Sequence, residues 1–191
     1  MTDFDFHLPF LKIQTTLSAF LSGPEIRKLE FLGNSLVGCL ESGGKLVTFG
    51  NGGSAAEASH FTTELVSKCS RDHYPWPSIS LSDSSTNLTA IGNDYGFDKI
   101  FSRQIEGLAS GVDCVIGFST SGKSPNVINA LTSAVSIGCK TFLITGNNYQ
   151  HNPSDSWNFI SVPSSETTRI QEVHLTIIHT LAEYCEFRMM N

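Results

Sequence analysis

Apolar residues recur at helical spacing through residues 8–40, and beyond them short continuous apolar runs alternate with helical segments. Leu8, Phe10, Leu11, Leu17, Phe20 and Leu21 predict a first helix over about 8–22, with more apolar positions than one buried face needs. The surplus is expected to pack either within the domain or on a second subunit. Ser22-Gly-Pro-Glu25 starts a second helix, Ile26 to Leu40 continue it and Gly43-Gly44 ends it. Lys45–Phe49 then reads as a strand, which breaks into the turn Asn51–Ser54 and opens directly into a helix expected to end near 68–72. A rigid connector, Tyr74-Pro-Trp-Pro77, leads to a second strand, Ser78–Leu81.

Ser82–Thr86 is turn chemistry with a short helix after it, Gly92–Gly96 a further turn, and Phe97–Leu108 a helix closed by Gly111. Asp113–Phe118, Thr141–Thr145 and Asn158–Val162 are the third to fifth strands. Between them lie the polar turn Ser119–Ser124, a helix from Pro125 to about Ile137 capped by Gly138, and the loop Gly146–Ser156. Glu166–Met189 is a long closing helix. The alternation predicts one α/β domain over residues 1–191, a three-layer sandwich whose parallel sheet has helices on both faces, with an extra N-terminal helical segment over about 8–42. In such sheets ligands bind at the carboxyl ends of strands. The turns Asn51–Ser54 and Ser119–Ser124 both sit at such ends.

These two turns carry the candidate chemistry. In the first, Gly52 and Gly53 let a ligand approach the backbone, and the helix that follows presents unpartnered N–H groups and the positive end of its dipole. That is an anion cradle, suited above all to phosphate. On the same helix His60 and Glu64 stand four residues apart, so their side chains share a face. In the second turn, Ser119, Thr120, Ser121 and Ser124 crowd four hydroxyls into a helix start, a second place to wrap a phosphate. Gly117–Ser124 also matches the G-x(4)-G-K-[ST] pattern of nucleotide-binding loops. The match is discounted, because Gly117 and Phe118 read as the end of a buried strand, Pro125 follows at once, and no later strand ends in an acidic residue suited to Mg²⁺. On the closing helix, Gln171 and His179 lie two turns and roughly 80° apart, within reach of one site, whereas His174 falls on the other side of Gln171.

Composition narrows the class. A net charge of −6 argues against a nucleic-acid or membrane surface, though not against a small anion held by local amides. The five cysteines are odd in number, form no CxxC pair and read as reduced core thiols of a cytoplasmic protein. Asp3 and Asp5 stand where a signal peptide would be basic, and no apolar run reaches membrane-spanning length.

Taken in order, Gly50-Asn-Gly-Gly-Ser-Ala-Ala56, His60-Phe-x-x-Glu64, Gly92-Asn-Asp94, Phe101-Ser-Arg103, Ser119-Thr-Ser-Gly-x-Ser124 and Arg169-Ile-Gln-Glu-x-His174 with His179 resemble the phosphoheptose isomerases of the sugar isomerase (SIS) domain superfamily. The resemblance spans nearly the whole chain from about residue 10. It implies a flavodoxin-like SIS fold with a five-stranded parallel sheet, a homotetramer with sites at subunit interfaces, and conversion of D-sedoheptulose 7-phosphate to D-glycero-D-manno-heptose 7-phosphate, the first step toward bacterial surface heptoses. It implies that Ser119, Thr120, Ser121 and Ser124 hold the phosphate and that Asn51, Gly52, Gly53, Asn93, Asp94 and Gln171 line the sugar. Glu64 and His179 would be the acid/base pair, and His60, Glu64, Gln171 and His179 the ligands of one Zn²⁺ per subunit. Three departures stand out. Lys123 replaces the usual Asn, Thr168 replaces an acidic residue, and Lys68–Trp76 lacks the usual basic-aromatic wording. The rival readings are a non-catalytic SIS module that binds a replication initiator, which lacks the Glu64/His179 pair, and an isomerase for another phosphosugar.

Overall fold

The computed structural model describes residues 4–190, so Asp3 of the acidic start lies outside them. The chain forms α1 (His7–Ser22), α2 (Glu25–Glu41), β1 (Leu46–Gly50), α3 (Gly53–Val66), β2 (Ser78–Ser80), α4 (Ser85–Tyr95), α5 (Ser102–Leu108), β3 (Cys114–Ser119), α6 (Pro125–Ile137), β4 (Lys140–Gly146), β5 (Asn158–Val162) and α7 (Thr167–Met189). The five strands pair in parallel in the order β2-β1-β3-β4-β5. Alternate strand residues serve opposite faces. Leu46, Ile116, Phe118 and Ile144 join a core shared with α2, α3 and α7. Val47, Phe49, Val115 and Leu143 join a second core under α5 and α6. Burial on both faces is why these strands read as continuous apolar runs. The strand order reverses between β1 and β3, and the crevice above their carboxyl ends is the expected ligand position for this topology.

The nucleotide-loop pattern dissolves in the structure. Gly117 lies within β3, paired with Phe49 of β1. A Cβ there would stand 3.0 Å from the Phe49 ring and 3.2 Å from Val127, so the glycine lets α6 close on the sheet.

Three expected boundaries move. Gly92–Tyr95 is not a turn but the last turn of α4, and only Gly96, at φ +95°, breaks the helix. A helical glycine costs about 1 kcal/mol relative to alanine, too little to end a helix already nucleated by the Ser84 cap. The predicted helix Phe97–Leu108 is split into a 3₁₀ turn at Phe97–Lys99 and α5. α3 also stops at Val66, short of the expected end. The reason lies on α7, where the buried Glu186 carboxylate accepts N–H bonds from Cys69, Ser70 and Arg71 at 3.0, 2.9 and 3.0 Å. Those amides are thereby withdrawn from the helix.

Two buried carboxylates tie the frame to pH. Burial alone would push the Glu186 carboxyl up, but the three amides and His73 overcome it and hold it below the ordinary 4.5. Asp113 behaves alike: burial opposes its ionisation, yet the Lys45 ammonium at 2.6 Å and the N–H groups of Lys45 and Ser110 hold it below 3.8. A depressed folded-state value means that the unfolded chain binds more protons, so this stability is fully present above about pH 5 and is lost as pH falls through the folded values. Thermal unfolding followed against pH should show the loss begin below about pH 5, with Glu186→Gln flattening the slope.

Candidate active site

β1 delivers the first loop to the crevice. A Cβ on Gly50 would meet the Ser54 carbonyl oxygen at 2.6 Å, so the chain turns tightly at this point. Gly52 takes φ +56°, and the space beside its Cα is open. The Asn51 amide pairs reciprocally with the amide of Asn126, both bonds at 2.9 Å, and Asn126 is buried in the first turn of α6. This clamp ties the first loop to the start of the helix behind the second.

In the second loop, the Gly122 N–H donates to Ser119 Oγ at 3.2 Å and the Lys123 N–H to Ser121 Oγ at 3.2 Å. Ser119 Oγ and Ser124 Oγ stand 3.3 Å apart. Gly122 adopts φ +65° with Tyr149 and Thr145 packed behind it, and Gly146 N–H donates to the Thr120 carbonyl at 3.1 Å. Ser119, Ser121 and Ser124 thus gather in the loop that leads into α6, with Thr120 in the same loop, and a helix N-terminus favours an anion through its backbone N–H groups and dipole. Lys123 is exposed beside them.

α3 and α7 supply the titratable groups. His60 Nε2 lies 2.9 Å from His179 Nε2 and 3.3 Å from Glu64 Oε1. One donor atom from each of the three falls within 4.8 Å of the others. The Gln171 amide rests on the first residue of α3, where a Cβ on Gly53 would come within 2.1 Å of Gln171 Nε2. Gly53, His60 and Gln171 share a cleft of about 600 Å³ with Glu57 and Thr168. Two imidazole nitrogens converging with a carboxylate oxygen are a donor set that fits a divalent metal. A 2.9 Å contact between ring nitrogens also fits one imidazole donating to the other.

His174 is excluded from this group, as its position on α7 predicts. It is fully buried, with Nδ1 3.2 Å from Glu57 Oε2 and its ring tilted against Phe118. Asn93 and Asp94 do not line this cleft. They lie exposed at the end of α4, hydrogen-bonded to each other at 2.7 Å, and Asp94 lines a separate cleft with Arg103. Three residues of the neighbourhood escape the sequence reading. Asn126 follows Pro125 in a helix start, and a polar side chain there is a signal available in the sequence. Glu57 stands one turn after Gly53 and one before His60, but an i, i+4 search from His60 passes it over. Glu186 carries no local signal at all, because its partners are more than a hundred positions away in the chain.

A family model described as the SIS domain matches residues 10–146. Among curated proteins, the phosphoheptose isomerase of Aliarcobacter butzleri is 43% identical over 175 residues, covering 91% of this chain and 92% of that one. Among solved structures, a phosphoheptose isomerase from Francisella tularensis aligns with a TM-score of 0.87 at 30% identity, covering 95% of this chain and 96% of that one. The phosphoheptose isomerase of Neisseria gonorrhoeae aligns with a TM-score of 0.84 at 32% identity, covering 92% and 94%.

Proposed function

The chain belongs to the phosphoheptose isomerases of the SIS domain family, and on that premise we propose that it converts D-sedoheptulose 7-phosphate to D-glycero-D-manno-heptose 7-phosphate through an enediol. The observation that carries this reading is the convergence of His60, Glu64 and His179 beside the glycine loop from which α3 starts. A ketose becomes an aldose by losing a proton at C1 and gaining one at C2, which needs a base, a proton shuttle and a polarised carbonyl. Glu64 takes the C1 proton and returns one to C2. His179 moves protons between the two oxygens, the task an imidazole suits near neutral pH. Ser119, Thr120, Ser121 and Ser124 hold the phosphate with the α6 amides. Asn51, Gly52, Gly53, Asn93, Asp94 and Gln171 line the sugar.

His60, Glu64, Gln171 and His179 would hold one Zn²⁺ per subunit, which when bound supplies Lewis-acid polarisation of the substrate oxygens. A carboxylate that ligates a cation is a weaker base, so the two roles of Glu64 compete. The homotetramer is supported by the apolar side chains α1 leaves exposed, among them Leu8, Phe10 and Leu21 at 49%, 75% and 68%. No described helix is long and apolar enough to cross a membrane, and the five cysteines are free thiols, as a reduced cytoplasmic setting would have them.

The test is NMR of purified protein with sedoheptulose 7-phosphate, metal-depleted and then zinc-restored. Heptose 7-phosphate signals are expected. A folded tetramer that is silent in both states would overturn the reading. Gly53→Ala is expected to lower kcat/KM about 100-fold in this assay with little change in melting temperature, because the new methyl must displace the Gln171 amide from the sugar position.

A further inference from the structure

On the face of α2 turned to the free edge of β5 lies a cavity of about 370 Å³ that the isomerase reaction does not use. Its lining is unlike the rest of this acidic chain. Arg27, Lys28 and His151 bring three basic side chains to it, and Phe31, Trp157 and Phe159 bring aromatic rings. The Lys28 ammonium sits 4.0 Å from the centre of the Phe159 ring, and His151 stacks on the same ring at 5.1 Å and 24°. Phe31 is half exposed at its mouth, tilted 54° against Phe142 behind it.

Two carboxylates adjoin this place, and both are already engaged. Glu25 receives Lys28 at 2.9 Å through one oxygen and the Ser161 N–H at 2.9 Å through the other. Asp155 receives the Tyr149 hydroxyl at 2.8 Å and the Asn152 N–H at 3.1 Å, with His151 at 4.0 Å. Arg27 has no side-chain partner among the described residues. A guanidinium without a counter-ion, one turn from an exposed phenylalanine on the same helix, presents a fork for an anion next to a flat apolar surface. Rings and cations together also recognise planar groups, through stacking and cation–π attraction. The volume falls in the range of small-molecule sites.

We propose that this cavity is a second ligand site, for an aromatic anion of about mononucleotide size, its ring laid against the exposed Phe31 and its phosphate or carboxylate on Arg27 and Lys28. The site lies between α2 and β5, whereas the cleft that holds His60 lies between α3 and α7, so occupancy of one leaves the other open.

Trp157 reports on it directly. The chain has two tryptophans, and Trp76→Phe leaves Trp157 as the sole tryptophan, read by excitation at wavelengths that tyrosine does not absorb. AMP and UMP titrated into that variant are expected to change its fluorescence with half-saturation at about 1 mM or below. Arg27→Ala and Phe31→Ser, both at exposed positions outside the isomerase machinery, should each weaken the response about tenfold while isomerase turnover stays unchanged. Ribose 5-phosphate, which lacks the ring, and adenosine, which lacks the charge, should give little response. An equal response to either of them, no response to any aromatic anion, or a change of oligomeric mass in Phe31→Ser would overturn the proposal, the last by making this face a subunit contact.

Discussion

Glu64→Gln is expected to lower kcat by about 10²–10⁴-fold, the range general-base catalysis contributes, while the protein keeps its fold. The substitution is nearly isosteric, so the packing between α3 and α7 is not disturbed. What changes is basicity, because an amide oxygen does not take a proton from carbon at neutral pH. The replacement also keeps an oxygen beside His60, 3.3 Å from its Nε2, so the array of His60 and His179 should stay in place. Circular dichroism and oligomeric mass should therefore match the parent, and NMR turnover of sedoheptulose 7-phosphate should nearly vanish. Full activity would show that the base is elsewhere. Glu57 would then take its place, as the cleft carboxylate already held by a buried imidazole.

Much of this site could be read before any coordinates, and the reason is local. A strand that ends in glycines and opens into a helix, a hydroxyl-rich helix start, and an i, i+4 His/Glu pair are patterns confined to a few consecutive residues. Their chemistry follows from backbone geometry alone. Local reasoning also disposed of the nucleotide-loop match, since Gly117 reads as strand and pairs with Phe49 as a strand residue. The failures came where distant partners decide the outcome. α3 ends at Val66 because a carboxylate on α7 claims the next amides, and nothing between residues 60 and 72 announces that. The Asn51–Asn126 clamp likewise joins side chains 75 positions apart. Residues 92–95 misled in the opposite direction. Glycine, asparagine and aspartate favour turns, but helix propagation from the Ser84 cap outweighs their preference until Gly96 needs a positive φ. The first helix carries more apolar positions than one buried face needs, and the structure leaves many of them uncovered.

Metal-depleted protein is expected to melt roughly 5–10 °C lower than protein holding zinc at a hundredfold excess over its dissociation constant. Binding that strong to the folded state alone contributes about 2.7 kcal/mol, and each kcal/mol moves the melting point of a chain this size by about 2–4 °C. The expectation rests on the contact between His60 Nε2 and His179 Nε2 at 2.9 Å. Two neutral imidazoles facing each other this way satisfy one another only if one donates and the other accepts. A cation held by His60, Glu64 and His179 would draw on both lone pairs and the carboxylate charge together, which would favour it when zinc is present. His60→Ala separates the two claims made for this cluster, because His60 is assigned to the metal but not to the acid/base pair. It should lose the zinc-dependent rise in melting temperature. If turnover falls with it, the metal is required by the reaction. If the rise disappears and turnover survives, Glu64 and His179 suffice and the metal only steadies the α3–α7 contact. A melting point indifferent to zinc in the parent protein would instead leave the imidazole pair as a hydrogen bond and remove zinc from the site.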